Sequence, residues 1–215
     1  MPHLNLPRRQ SGFTLIEIAI VLVIIGLLLG GILKGQELIN SARVKNLATD
    51  FRSVPVFIYA YQDKFRSLPG DDSAASTHLT GATNATTPAS SQGNGVIDGN
   101  WYSETTTDES YLFWQHVRLA GLAPGSTTVG AGFPPVNALG GRVGVQSTAP
   151  FAGMNGTYFI CSAGISGAFA KQLDVQLDDG NTATGSMRAG TNVTPPVAVA
   201  TVLVDATNYT VCMGI

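Results

Sequence analysis

The sequence predicts an α+β fold in which a long amino-terminal helix, membrane-spanning in its first half, packs its second half on a carboxyl-terminal antiparallel sheet. Three observations carry this expectation. Phe13 to Leu33 is an apolar run broken by one acid, Glu17. From Val44 onward, apolar residues recur at alternating steps of three and four. Beyond residue 140, short apolar runs alternate with Gly, Asn, Asp, Ser and Thr.

The first run is 21 residues long. At about 1.5 Å per residue it covers roughly 31 Å, the thickness of a bilayer's hydrocarbon core. A cleaved secretory signal would be shorter and end in small residues of the A-x-A type, which "LLLGGILKGQEL" does not offer. Arg8 and Arg9 precede the run with no acid beside them, so the positive-inside rule places the amino end in the cytoplasm and the remainder across the membrane. Lys34 and Glu37 nearly cancel just past it. Gly26 and Gly30, with Gly31 adjacent, form a small-xxx-small spacing that lets helices pack closely. Glycine also weakens a helix by about 1 kcal/mol relative to alanine, so any unwinding is expected here. Glu17 is the anomaly. A carboxylate at mid-bilayer costs on the order of 3 kcal/mol, less near the interface, so it is by default a functional-site candidate, the alternative being an anchor that tolerates one polar residue near its end.

Val44, Leu47, Phe51, Val54, Ile58, Tyr61, Phe65 and Leu68 form one helical stripe. The helix is therefore expected to continue to about Ser67, with residues 34–68 as its amphipathic part. A free coiled coil shares this spacing, but only about three heptads are present before further folded sequence, so packing on a sheet is favoured. Pro55 predicts a kink or a break into two helices, and "SLPGDD" ends the pattern. Ser73 to Asn100 is rich in Ser, Thr, Ala, Gly and Asn and predicts a long surface loop. Glu109 to Gly125 predicts a short helix ending at Gly121. Four runs then predict about four strands: "GRVGVQS", "GTYFICSA", "AKQLDVQLDDGNTATGSMRA" and "VAVATVLVDATNYTVCM". In the third, Leu173, Val175 and Leu177 alternate with Asp174 and Gln176, and Asp179-Gly180 signals a hairpin. Asp174, Asp178, Asp179 and Asn181 could supply oxygen ligands to Ca²⁺. No EF-hand loop accompanies them, so turn chemistry is favoured.

The basic leader, Gly12, "FTLIE" and the unbroken apolar helix together resemble the amino-terminal signature of type IV pilins and of the pseudopilins of type II secretion. "YQDKFRSLPGDD", the "ES…W.H…AGL" segment and "LDVQLDDGNTATG" are similar to segments of one set of prepilin-like proteins. The resemblance implies a leader at residues 1–12, cut between Gly12 and Phe13 by a prepilin peptidase, and methylation of the new Phe13 amine. It implies that Glu17 pairs with the amine of a neighbouring subunit. That cation needs a counter-charge in an apolar bundle, and it does not exist before cleavage. The implied partners are other pilin or pseudopilin subunits, the inner membrane and its assembly platform. The implied location is the bacterial inner membrane, with residues 69–215 as a periplasmic pilin-like domain, then a filament on the cell surface or in the periplasm. Many pilins carry a proline near position 34, which this chain lacks, and some pseudopilins bind Ca²⁺ near their carboxyl ends.

Cys161 and Cys212 are the only two cysteines and follow the export signal. In an oxidising compartment an even pair reads as one disulfide, against two buried thiols as the alternative; closing such a loop stabilises by about 4 kcal/mol. Pilins commonly staple their carboxyl-terminal region this way. With net charge −2 and 12% charged residues, no basic patch supports nucleic-acid binding. His3, His78 and His116 have no ligand- or triad-spaced partners, and no H-E-x-x-H, G-x-S-x-G or phosphate loop occurs. His116 is expected to be a packed core residue, and no enzyme and no cofactor beyond Ca²⁺ is expected. The favoured reading is a pilin-like filament subunit precursor; a type II secretion pseudopilin and a membrane-anchored periplasmic binding module are the alternatives.

Overall fold

The computed structural model describes residues 12, 14–130, 132–191 and 199–215. The chain divides into two compact units, Met1–Ala42 and Arg43–Ile215. Helix α1 (Leu15–Phe65) contributes to both. In the first unit its side chains are almost all exposed.

In the second unit, α1 buries Val44, Leu47, Ala48, Phe51, Val54, Ile58 and Tyr61, all but Ala48 from the stripe read from the sequence, while Phe65 of that stripe is half-buried. The helix is continuous through Pro55, so the expected break does not occur. A proline inside a helix costs about 3 kcal/mol. Burying each of Leu47, Phe51 and Ile58 returns about 1.5–3 kcal/mol, and a break would disturb all three. Arg66 ends the helix in the left-handed region at φ 58°, with its N–H donating to the Gln62 carbonyl at 2.8 Å.

The stripe packs against helix α3 (Glu109–Leu119) and a four-stranded sheet. Its strands are β1 (Val143–Gln146), β2 (Phe159–Ser166), β3 (Met187–Thr191) and β4 (Asn208–Gly214), in the order β1-β2-β4-β3, with every pairing antiparallel. One core joins Leu47, Phe51, Val54 and Ile58 to Phe113, Val117, Val145, Ile160 and Val211. On the other side of β2 and β4, Phe159, Cys161 and Cys212 meet Trp101, Phe151 and Met154 in a second cluster. The two clusters alternate along β2 because successive side chains of a strand point to opposite faces. Cys161 and Cys212 face each other in the β2–β4 register and are joined as a disulfide, with Cα atoms 4.1 Å apart.

The third apolar run is a helix where a strand was expected. Helix α4 (Gly167–Leu177) buries Gly167, Ala170, Leu173 and Asp174, a three-and-four spacing. Val175 is 71% exposed and Asp174 0%, the reverse of the predicted alternation. The period-two pattern of five residues was outweighed by the longer helix-forming run from Ala168, whose stripe meets the core. Only Met187–Thr191, at the end of that run, is a strand. In the fourth run the strand begins at Asn208; residues 192–198 lie outside the described residues.

The segment 73–100 is also more ordered than a surface loop. It contains helix α2 (Ala75–His78) and buries Ala75, Leu79, Ala85 and Ile97. Buried carboxylates hold it. Asp71 accepts the N–H groups of Gly93, Asn94 and Gly95, and Glu109 accepts from Asp98 N–H at 2.8 Å and Ser91 Oγ at 3.1 Å. Gly70 sits between these elements at φ 93°, where a Cβ would lie 2.3 Å from the Glu109 carbonyl oxygen. Its N–H donates to His116 Nδ1 at 2.9 Å, which leaves Nε2–H to donate to the Thr83 carbonyl at 2.9 Å. His116 is thus a fully buried, neutral core residue whose pKa is lowered by burial.

Burial, reinforced by the charges of Asp71 and Asp98, lifts the Glu109 carboxyl from 4.5 to about 7. Between those two pH values the unfolded chain releases a proton that the folded chain keeps, so this group's contribution to stability, complete below the lower value, is lost as pH rises through the upper one. Glu109→Gln mimics the protonated acid. Its melting temperature relative to wild type should rise between about pH 5 and about pH 8, and an unchanged difference would contradict the assignment. For the disulfide, Cys212→Ser should lower unfolding free energy by about 2–4 kcal/mol, read from the urea midpoint without reductant.

Candidate functional site

At the start of α1, Thr14 and Glu17 form a reciprocal cap. Glu17 Oε2 accepts from Thr14 N–H at 2.8 Å and from Thr14 Oγ1 at 2.7 Å, while Glu17 N–H donates to Thr14 Oγ1 at 3.3 Å. The Thr14 carbonyl accepts from Ile18 N–H at 3.4 Å, which places Thr14 at the N-cap. This is a capping box, T-x-x-E, which satisfies helix-terminal donors that have no intrahelical partner. The carboxylate also sits at the positive end of the helix dipole. Thr14 is the residue that sequence reasoning missed. Its signal, a threonine three positions before a glutamate at the head of an apolar run, was available.

Gly12 lies just before the cap and is exposed, and among the described residues nothing beyond its chain neighbours comes within 4 Å of where a Cβ would sit. Phe13 lies outside the described residues. At Gly26 and Gly30 likewise nothing beyond the adjacent residues and the helix's own backbone comes within 4 Å of a Cβ position among the described residues. Among the described residues, α1 is the helix long and apolar enough to cross a membrane. From Leu15, 91% exposed, to Leu33, its large apolar side chains are exposed among the described residues. An exposed apolar surface of this extent marks a membrane or protein interaction site. Lys34 and Glu37 follow as an ion pair at 2.7 Å.

The remaining candidates lie in the second unit. Carboxylate oxygens of Asp174, Asp178 and Asp179 come within 4.8 Å of one another. Asn181 is nearby in sequence, but its side-chain oxygen accepts from Ala183 N–H at 3.2 Å within its own turn. Both ring nitrogens of His116 are committed to backbone groups, so it has no lone pair for a metal. Asp50, half-buried beside Phe57 and Trp114 in a cleft of about 290 Å³, is pushed up to about 6 by desolvation.

Residues 7–33 match the family model described as the prokaryotic N-terminal methylation motif. Comparisons with curated proteins and with solved structures gave no significant match. The matched stretch takes in the basic residues, Gly12, the Thr14–Glu17 cap and the apolar half of α1. The chain carries the prepilin signal shared by type IV pilins and pseudopilins.

Proposed function

We propose that this chain is the precursor of a type IV pilin-like filament subunit. A prepilin peptidase cuts it after Gly12, the Phe13 amine is methylated, and α1 assembles with the helices of other subunits. The observation that carries the reading is a methylation motif whose one acid, Glu17, is held at the start of an otherwise apolar, uncovered helix. A type II secretion pseudopilin uses the same chemistry and differs in the filament it joins. The precursor sits in the inner membrane with its amino end in the cytoplasm and residues 69–215 in the periplasm.

The chemistry runs in two stages. Before cleavage residue 13 is part of a peptide bond, and Glu17 spends its carboxylate on its own helix through Thr14. Cleavage creates an α-amine with a pKa near 8, mostly cationic at neutral pH. In a bundle of apolar helices that cation is very costly unless paired. Glu17 of an adjacent subunit supplies the counter-charge. A shift along the helix by one turn, about 5.4 Å, would separate the charges and leave both unpaired. The pair thereby sets subunit register. The uncovered apolar surface of α1 exchanges lipid for neighbouring helices, with Gly26 and Gly30 permitting close approach.

Mass spectrometry of the mature protein should find a terminus at methyl-Phe13, and Gly12→Val should leave full-length precursor in the membrane. A mature terminus beyond Leu33 would overturn the reading. Glu17→Gln keeps the shape but removes the charge. It should be inserted and cleaved normally yet be lost from sheared filaments, because each subunit forgoes several kcal/mol of charge compensation. Thr14→Ala removes the cap, at a cost of about 1 kcal/mol, and keeps the charge, so it should incorporate far better than Glu17→Gln. Wild-type recovery of processed Glu17→Gln protein in filaments would show that the carboxylate has no assembly role.

A further inference from the structure

We propose that the cleft formed by residues 100–108 and Arg142 binds a neutral oligosaccharide. It has a volume of about 570 Å³ and is lined by Asn100, Tyr102, Glu104, Asp108 and Arg142, with Ser103 between them. That volume falls within the roughly 300–1,000 Å³ of small-molecule sites. A second cleft of about 450 Å³ shares Glu104 and Arg142 with the first, so the two together have room for more than one sugar ring.

The wall of the cleft is fixed before any ligand arrives. Trp101 is 1% exposed and its backbone N–H donates to Gln146 Oε1 at 2.8 Å, while Ser103 N–H and Ser110 Oγ both donate to the Asn100 carbonyl at 2.8 Å. Gly99, at φ 88°, lets the loop close, since a Cβ would stand 2.9 Å from Ser110 Oγ. Ser103 then spaces the charges. Its Oγ donates to Asp108 Oδ2, and its carbonyl accepts from Arg142 Nη2. Acid and base are thereby held in one cleft without neutralising each other: among the described residues Arg142 forms no ion pair with Asp108 or Glu104. Burial lowers the Arg142 pKa, and the charge of Glu104 opposes that shift.

The groups lining the cleft are otherwise uncommitted. Asp108 stands at the N-cap of α3, where an aspartate ordinarily accepts from the first N–H groups of the helix, yet it makes no such bond. Among the described residues, Asp108 Oδ1, the Glu104 carboxylate, the Asn100 side-chain amide, the Tyr102 hydroxyl and Arg142 Nη1 have no hydrogen-bond partner. Two acids beside one guanidinium disfavour an anion, and the guanidinium disfavours a cation. Hydroxyl groups suit both signs, because each donates and accepts. One hydroxyl of a sugar donates to Asp108 or Glu104 while its neighbour accepts from Arg142, and such charge-assisted bonds are roughly twice as strong as neutral ones. Tyr102 adds an apolar ring for the C–H face of the sugar.

The inference rests on the second unit alone and holds whether or not the chain enters a filament. Its test applies the full chain, in a detergent without a sugar headgroup, to an array of immobilised neutral and carboxylated oligosaccharides. Binding should concentrate on neutral members, and calorimetric titration with the free form of the strongest should give a Kd of about 1 mM or tighter. Glu104→Gln, at an exposed position, should fold, as circular dichroism would show. It should bind that oligosaccharide about tenfold more weakly and lose part of the discrimination against carboxylated members. Tyr102→Ala leaves every charge in place and should weaken binding to a similar degree. No binding to any neutral member, a preference for carboxylated members, or unchanged affinity in both folded variants would overturn the site and leave a solvated loop.

Discussion

The folded unit depends on one stripe of α1. Leu47, Phe51, Val54 and Ile58 are all essentially inaccessible and lie in the cluster that also contains β1, β2, β4 and α3 residues. Because that stripe recurs every three to four residues, the helix must stay regular for every member to remain inside at once. This is why Pro55 interrupts one hydrogen bond without ending the helix. It is also why α3, with Glu109 to Val117 buried, can be almost wholly internal: it is enclosed by the elements the stripe organises.

A second layer of order is polar. The long connection between α1 and α3 has few large apolar side chains, and buried acceptors take their place. Asp71 and Glu109 gather backbone N–H groups from residues 93–98, and His116 joins the Gly70 N–H to the Thr83 carbonyl. Such bonds cost little when complete and are costly when broken, because each would leave a buried group unpaired. They convert a segment of small residues into a specific structure, and the same burial that makes them exacting pushes Glu109 into the range where ordinary pH changes matter.

Carboxylates are therefore used in three different ways along one chain. Glu17 is exposed and satisfied by its own helix terminus. Glu109 is buried and satisfied by a loop. Asp174 is buried and unsatisfied. Each environment leaves a different state: a carboxylate held at a helix start, a proton held near neutrality, and a buried carboxylate with no hydrogen-bond partner.

The sequence by itself determined the prepilin signal, the apolar span, the buried stripe from Val44 to Tyr61, helix α3 and strands β1 and β2, since each rests on local periodicity or a contiguous motif. Gly12 and Glu17 lie within that contiguous motif, and the Thr14 cap could have been read with them, because a capping box joins residues only three apart. Tertiary structure decided what local pattern could not. Leu173, Val175 and Leu177 fit a strand, but Leu173 finds the core only when Ala170 and Gly167 lie beside it, and that requires a helix. The same change places Asp174 and Asp178, four residues apart, on one face, where a strand would also have paired them but without burying Asp174. Which of the aspartate-rich turns buries a carboxylate, and which loop carboxylates become internal, is set by the elements that close over them, and those come from distant parts of the chain.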